Sequence, residues 1–245
     1  MSTSSADRHL NMATANAAAF WTALGSTRGH EVIRTSSYLA VLTDTRFGNR
    51  ILMLSPTPSD DDVSAVRDLV RSRAGVATTV EDPFAAIEIP GLGLEPRAMP
   101  VMSRMPRRID GTTCWTVTRV TTIPGLREAE HTIVHGFPLA RVQPYDEGEV
   151  LPNALLDYPG FEVFLIGDDA TTVGACVTMT AAACTGVYWV TTLPEHRSKG
   201  VARALMTTVL DHHSERTMTL DASLAGKPLY DSLGFDVVAV STWWT

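Results

Sequence analysis

The sequence predicts a mixed α/β fold, with a central mixed, mostly antiparallel sheet flanked by helices and a smaller α/β region ahead of it. Three observations carry this. Short apolar or alternating runs recur along the chain with turn residues between them. Stretches with apolar residues every three to four positions are interspersed with those runs. In the second half the order reads strand, two helical segments, three strands, helix, strand, helix, strand, which builds a mixed sheet.

Residues 1–12 read as a flexible tail. An Ala-rich helix follows over about 14–27, with Phe20, Trp21 and Leu24 on its apolar face. "HEVIRTS", "YLAVLTD" and "NRILMLS" are strand-like runs separated by turn residues. "SDDDVSAVRDLVRSR" reads as a helix, with Ser59 as N-cap, Asp60 to Asp62 at the positive dipole end, and Val63, Val66, Leu69 and Val70 on one face. "VATTV" is a short strand, and the "GLG" of the Pro/Gly-rich "IPGLGLEPRAMPVM" reads as a turn. "MPVMSRMPRRIDG", with Arg104, Arg107, Arg108 and Asp110, reads as an exposed connection. It divides the chain into an N-terminal α/β domain over 13–110 and a second domain over 111–245.

The second domain begins with the strand "CWTVTRVTT", then the helix "REAEHTIVHGF" and a looser helical segment, "GEVLPNALLDY". "FEVFLIG", "TVGACVTMT" and "TGVYWVTTL" are three strands, the first two joined by a tight turn at "GDD". A helix over about 200–213 buries Val201, Leu205 and Val209, and "TMTLDAS", "AGKPLYDSL" and "FDVVAVSTW" complete the order as strand, helix and strand.

Composition narrows the function classes. The 245 residues are 44% apolar and 19% charged, as in a globular protein. No run approaches the ~18 apolar residues of a membrane span, and the N-terminus lacks the basic and apolar regions of a secretory signal. A net charge of −7 argues against nucleic-acid binding. The three cysteines form no metal-spaced pair and fit a reducing cytoplasm. His131 and His135 are four residues apart without a third ligand at recognisable spacing, so no metal is expected. Oligomeric state is left open.

"HRSKGVARAL", residues 196–205, concentrates two bases and two very small residues where a strand hands over to a helix. Orphan N–H groups and the dipole at a helix N-terminus bind phosphate, and Gly200 and Ala202 leave the approach clear. Arg197 and Lys199 add positive charge. Downstream, "PLYDSLGFDVV" sets Tyr230 in a short helix that ends at Gly234-Phe235.

This arrangement resembles the GNAT superfamily of acyl-CoA-dependent N-acetyltransferases. Arg197, Gly200 and Ala202 fit its Gln/Arg-x-x-Gly-x-Gly/Ala loop, and Leu229, Tyr230, Gly234 and Phe235 fit its Leu-Tyr-x-x-x-Gly-Phe motif. The resemblance covers about residues 112–243; the N-terminal half is similar in outline, as a partial or degenerate GNAT-like domain. It implies a GNAT-type fold and acetyl-CoA as co-substrate. It also implies that the backbone of Val190, Thr191 and Thr192 pairs with the pantetheine arm. Ser198, Lys199, Gly200, Val201, Ala202 and Arg203, with Arg197, would hold the pyrophosphate. Ser223 stands where many members carry Asn, a shorter group beside the cofactor arm.

The implied reaction is direct attack of a primary amine on the thioester in a ternary complex. Backbone N–H groups would stabilise the oxyanion, and Tyr230 would act as the acid for the leaving thiolate. The general base is not legible, with Tyr188, His135, Glu195 and a water chain as candidates. Two alternatives differ in class. One is a non-catalytic acyl-CoA-binding or regulatory module, and the other an acyltransferase using another acyl group or a hydroxyl acceptor.

Overall fold

Ser4 starts the first helix. Its hydroxyl accepts the Asp7 amide at 3.0 Å and its own amide donates to the Asp7 carboxylate at 3.1 Å. This reciprocal cap begins α1 (Ser5–Thr27). The computed structural model describes residues 4–109, 111, 114–137, 139, 142–168 and 171–245. The expected tail is thus helical from Ser5, because the Ser4–Asp7 cap satisfies amides that an uncapped start would leave open. Asp110 of the expected connection and Asp169 of the expected turn lie outside the described residues.

β1 (Glu31–Arg34), β2 (Tyr38–Leu42) and β3 (Asn49–Met53) form an antiparallel meander. α2 (Asp60–Ser72) starts at Ser59 with the predicted cap, and carries the chain across to β4 (Thr78–Asp82), parallel to β3. Then comes a strand that the sequence reading treated as connection, β5 (Pro96–Arg104). Met102 and Arg104 on it are fully buried. The Arg104 guanidinium donates to the carbonyls of Leu233 at 3.0 Å and Arg107 at 2.9 Å.

The remaining elements follow the expected order: β6 (Thr116–Arg119), α3 (Ile123–Gly136), β7 (Phe161–Gly167), β8 (Thr172–Ala181), β9 (Cys184–Thr192), α4 (Val201–His212), β10 (Thr217–Asp221), α5 (Lys227–Ser232) and β11 (Asp236–Trp244). The looser helical segment is a short 3-10 turn at Asn153–Asp157. All eleven strands join one sheet in the order β1-β2-β3-β4-β11-β5-β10-β9-β8-β7-β6. The sheet therefore crosses the middle of the chain without a break. β5 lies between β11 and β10 and is antiparallel to both. Pro100 is tolerated there because its carbonyl side faces β10 just past the last pair, Asp221↔Val101, so its missing N–H interrupts no ladder.

Side chains alternate across β7. Phe164 and Ile166 pack under Val201, Leu205 and Val209 of α4, whereas Phe161, Val163 and Leu165 pack under Phe20 and Leu24 of α1 and Leu126 and Ile133 of α3. No helix among the described residues is long and apolar enough to cross a membrane.

α1 ties the two halves together through one side chain. Asn16 is fully buried, and its amide donates to the carbonyls of Met179 at 2.8 Å and Cys184 at 3.2 Å, at the β8–β9 turn. Its oxygen accepts the Tyr188 hydroxyl at 2.7 Å. Gly186 makes the space: a Cβ there would lie 2.1 Å from the Asn16 oxygen and 2.6 Å from the Tyr188 hydroxyl. Gly186→Ala should therefore push Asn16 out of its seat and cost about 1–3 kcal/mol. Denaturant unfolding followed by circular dichroism checks this, and an unchanged midpoint would refute it.

Candidate functional site

β9 and β10 run side by side for only three residue pairs, Thr217↔Cys184, Met218↔Thr185 and Thr219↔Gly186. Beyond Gly186 the strands part, and among the described pairings nothing takes the vacated edge of β9. A bulge marks the opening. Trp189 and Val190 together face the single residue Cys176 of β8, and Trp189 adopts φ 51°. The opening leads into a cavity of about 540 Å³ lined by both halves of the chain.

The sequence-predicted residues collect around one end of it. Val190, Ala202, Ser223 and Tyr230 line the cavity directly. Thr191 is buried with its hydroxyl donating to the Trp189 carbonyl at 2.8 Å, and the Thr192 carbonyl accepts the Arg197 Nε at 3.3 Å. Arg197 also donates to the Gly136 carbonyl at 2.8 Å, so its guanidinium pins the end of α3 and the end of β9 to the loop. Ser198 (φ 60°) and Gly200 (φ 79°) both turn through the left-handed region, and nothing lies within 4 Å of where a Gly200 Cβ would be. The first intrahelical bond of α4 is Ala204 N–H to the Gly200 carbonyl, which leaves the amides of Val201, Ala202 and Arg203 as the helix's free donors. Lys199 and Arg203 face a neighbouring groove of about 730 Å³, where they meet Arg107 and Arg108. The Ser223 hydroxyl accepts the Gly226 amide at 3.1 Å and shapes the turn into α5.

Tyr230 is 9% exposed. Burial, with a smaller contribution from Cys176, raises its phenol to about 12, so it stays protonated at neutral pH. Its ring meets that of Phe235 edge-on, with centroids 5.9 Å apart.

The deeper wall holds groups that sequence reading missed. Asp221, at the last position of β10, is exposed and lines the cavity. Desolvation by the protein packed around it raises its carboxyl to about 8, Glu81 pushes it up further, and Arg50 opposes both. Glu81, on β4, is 2% exposed, and burial raises it too. Arg50 donates to it at 2.6 Å and the Trp21 indole at 3.3 Å. The Arg50 guanidinium stacks 4.2 Å from the Trp21 ring centroid and 5.3 Å from that of Trp243. These residues sit on α1, β3, β4, β10 and β11, so no local spacing announces them. The available signal was Asp221 itself, a lone carboxylate ending an apolar strand six residues before the Leu229-Tyr230 motif's helix.

Of the other candidate bases, Tyr188 lines the cavity and His135 and Glu195 lie outside it. Tyr188 is held as a donor to Asn16, and burial keeps its phenol well above the usual value. His135 is exposed on α3 and stacked on His131 at 4.0 Å, and Glu195 is exposed in the turn before the loop; neither lines the cavity.

The comparisons agree with this geometry. Residues 159–237 match the family profile described as an acetyltransferase (GNAT) domain. Among solved structures, a GCN5-related N-acetyltransferase from Kribbella flavida is similar at TM-score 0.62 and 15% identity, with 93% of this chain and 94% of that chain covered. A GCN5-related N-acetyltransferase-like protein from Streptococcus suis gives TM-score 0.57 at 14% identity, covering 93% and 98%. A GCN5-related N-acetyltransferase from Sphaerobacter thermophilus gives 0.54 at 18% identity, covering 85% and 76%. The likeness in fold thus extends over the N-terminal half. Curated protein sequences give no match.

The charge cluster makes a direct prediction. The Asp221 carboxyl, followed by carbon-13 NMR, should titrate near pH 8. Glu81→Gln removes a repelling carboxylate, so the midpoint should fall. A midpoint near 4, or one that rises in the variant, would contradict the arrangement.

Proposed function

We propose that the protein transfers an acetyl group from acetyl-CoA to a primary amine within a ternary complex. The observation that carries this is the parting of β9 from β10: an unpaired strand edge that runs from the free amides of α4 inward to Tyr230 and Asp221. An extended pantetheine arm fits such an edge as an added strand. The open approach at Gly200 and the amides of Val201 to Arg203 suit a pyrophosphate, with Lys199, Arg203, Arg107 and Arg108 supplying positive charge nearby. Arg197 supports the loop by holding it to β9 and α3. Three unpaired cysteines support a cytoplasmic setting.

Acetyl-CoA supplies the acyl group as a thioester. Around it, the backbone at the Trp189–Val190 bulge, released from regular pairing with β8, offers N–H groups to the carbonyl oxygen as it gains charge. Asp221 takes a proton from the incoming ammonium. A carboxylate near 8 is a far stronger base than an ordinary one near 3.9, and so is better matched to an amine. The C–N bond then forms, the nitrogen sheds its second proton to solvent, and the C–S bond breaks, with the electron pair leaving on sulfur. Tyr230 gives that sulfur its proton, and solvent restores the phenol. One ammonium and one thioester enter; one amide, one thiol and one proton leave. A phenol near 12 is a weak acid for this task, but the burial that raises it also raises the proton affinity of a thiolate beside it.

Two experiments test the reading. Coenzyme A should raise the melting temperature of the wild-type protein, since a ligand that binds only the folded state stabilises it. Ala202→Arg, filling the approach to the α4 amides, should abolish the rise; equal stabilisation of both proteins would exclude this loop. Tyr230→Phe should lower kcat by ~10²–10⁴-fold with coenzyme A binding nearly constant, as expected for a group acting only in the transition state. A variant that keeps full kcat while chemistry limits turnover would assign Tyr230 to packing alone.

A further inference from the structure

The cavity's second end holds a cation whose charge the protein does not balance. Arg28, near the end of α1, donates from both Nε (3.2 Å) and one terminal nitrogen (2.6 Å) to a single carbonyl, that of Val150. The guanidinium lies 4.7 Å from the Phe47 ring centroid and 6.0 Å from that of Trp189. Among the described residues no carboxylate comes within ion-pair distance of it. The two acids that attract it are engaged elsewhere. Glu149 pairs with Arg46, and Glu130 is held by Arg127 and by the amides of Gly148, Val150 and Leu151. Burial accordingly lowers Arg28 to about 10. A half-buried cation without a direct counter-ion is costly, and this one faces a cavity in which a ligand could provide one.

The cavity runs along one face of α1 through Ala17, Trp21, Leu24 and Arg28. Ala17 also lines a small adjoining pocket with Asp221 and Tyr188, so the Asp221 end of the cavity lies at that level. Eleven residues of helix from Ala17 to Arg28 rise ~16 Å. A helical side chain leans back about one turn, ~5 Å, toward the N-terminus, which leaves roughly 10 Å between the basic and acidic ends. Trp21, Phe47 and Trp189 line the cavity between or beside those ends with apolar surface.

Resting on the acetyltransfer reading, we infer that the acceptor is an amino carboxylate whose amine and carboxylate stand far apart on an apolar spacer. The carboxylate pairs with Arg28 and the amine meets Asp221. A single negative charge balances the one unpaired guanidinium, whereas a phosphate dianion would leave an excess. An α-amino acid, with its two charged groups on one carbon, spans too little of the cavity to use both ends. Arg50 does not offer a second anion site of the same kind, because Glu81 already neutralises it.

The test uses the full-length protein with acetyl-CoA. Its acceptors are straight-chain ω-aminoalkanoates of four to eight carbons, their methyl esters, plain alkylamines and α-amino acids. The longer aminoalkanoates should show kcat/KM ~10–100-fold above their esters, as expected for a charge-assisted contact. The α-amino acids should be poor. Arg28→Met should erase the preference for acid over ester. The wild-type ratio decides the matter even where that variant fails to fold. Esters or alkylamines accepted as well as the acids would overturn the inference, as would bound acetyl-CoA with no transfer to any member of the series. Failure of acetyl-CoA to stabilise the protein would instead remove the acetyltransfer reading, and this inference with it.

Discussion

Two neighbouring strands that stop pairing create a problem that the surrounding structure must solve. After Gly186 and Thr219, β9 and β10 no longer satisfy each other's backbone. An open seam in the middle of a sheet leaves polar groups without partners. Here the seam is bordered rather than closed. The turn of α5 and its Tyr230 bound it on one side, the N-terminus of α4 stands at its mouth, and Glu81, Asp221 and the rings of Trp21 and Trp243 line its depth.

The N-terminal half supplies half of the site. α1 lies across both parts of the sheet and inserts Asn16 into the β8–β9 hairpin. The same helix presents Trp21 and Arg28 to the cavity. β3 and β4 bring Arg50 and Glu81, and β11 brings Trp243. Glu81 carries a cost of burial that Arg50 and the Trp21 indole offset, and its repulsion helps hold Asp221 as an unusually strong carboxylate base. The pocket's electrostatics thus depend on the sheet running continuously from one half to the other.

What could be read in advance was local. The α4 stripe of Val201, Leu205 and Val209, the Ser59 cap and the sharp turn at Gly200 each follow from residues within a turn of one another. The Tyr230 helix was legible for the same reason. β5 was not, because its prolines mimic a connection and only its position between β10 and β11 explains how Pro100 is tolerated. Arg104 looked like a surface base, yet it is buried against the carbonyls of Leu233, just past α5, and Arg107, in the loop after β5. Asp221, Glu81 and Arg28 escaped because their meaning lies in who their neighbours are, and those neighbours are 100 or more positions away in the chain for Asp221 and Arg28.

The placement of β5 also sets an order of events as the chain is made. β5 ends at Arg104, but both of its partners lie beyond residue 216. β4 likewise has β11 as its outer neighbour, and β11 follows every other strand of the sheet in chain order. A chain emerging from the ribosome therefore holds three unsatisfied strand edges, two on β5 and one on β4, until β10 and β11 arrive. Such long-range pairing slows folding and leaves edges open to other chains in the interval. Shielding of residues 78–104 during that interval becomes as much a requirement for this protein as any contact in its finished sheet.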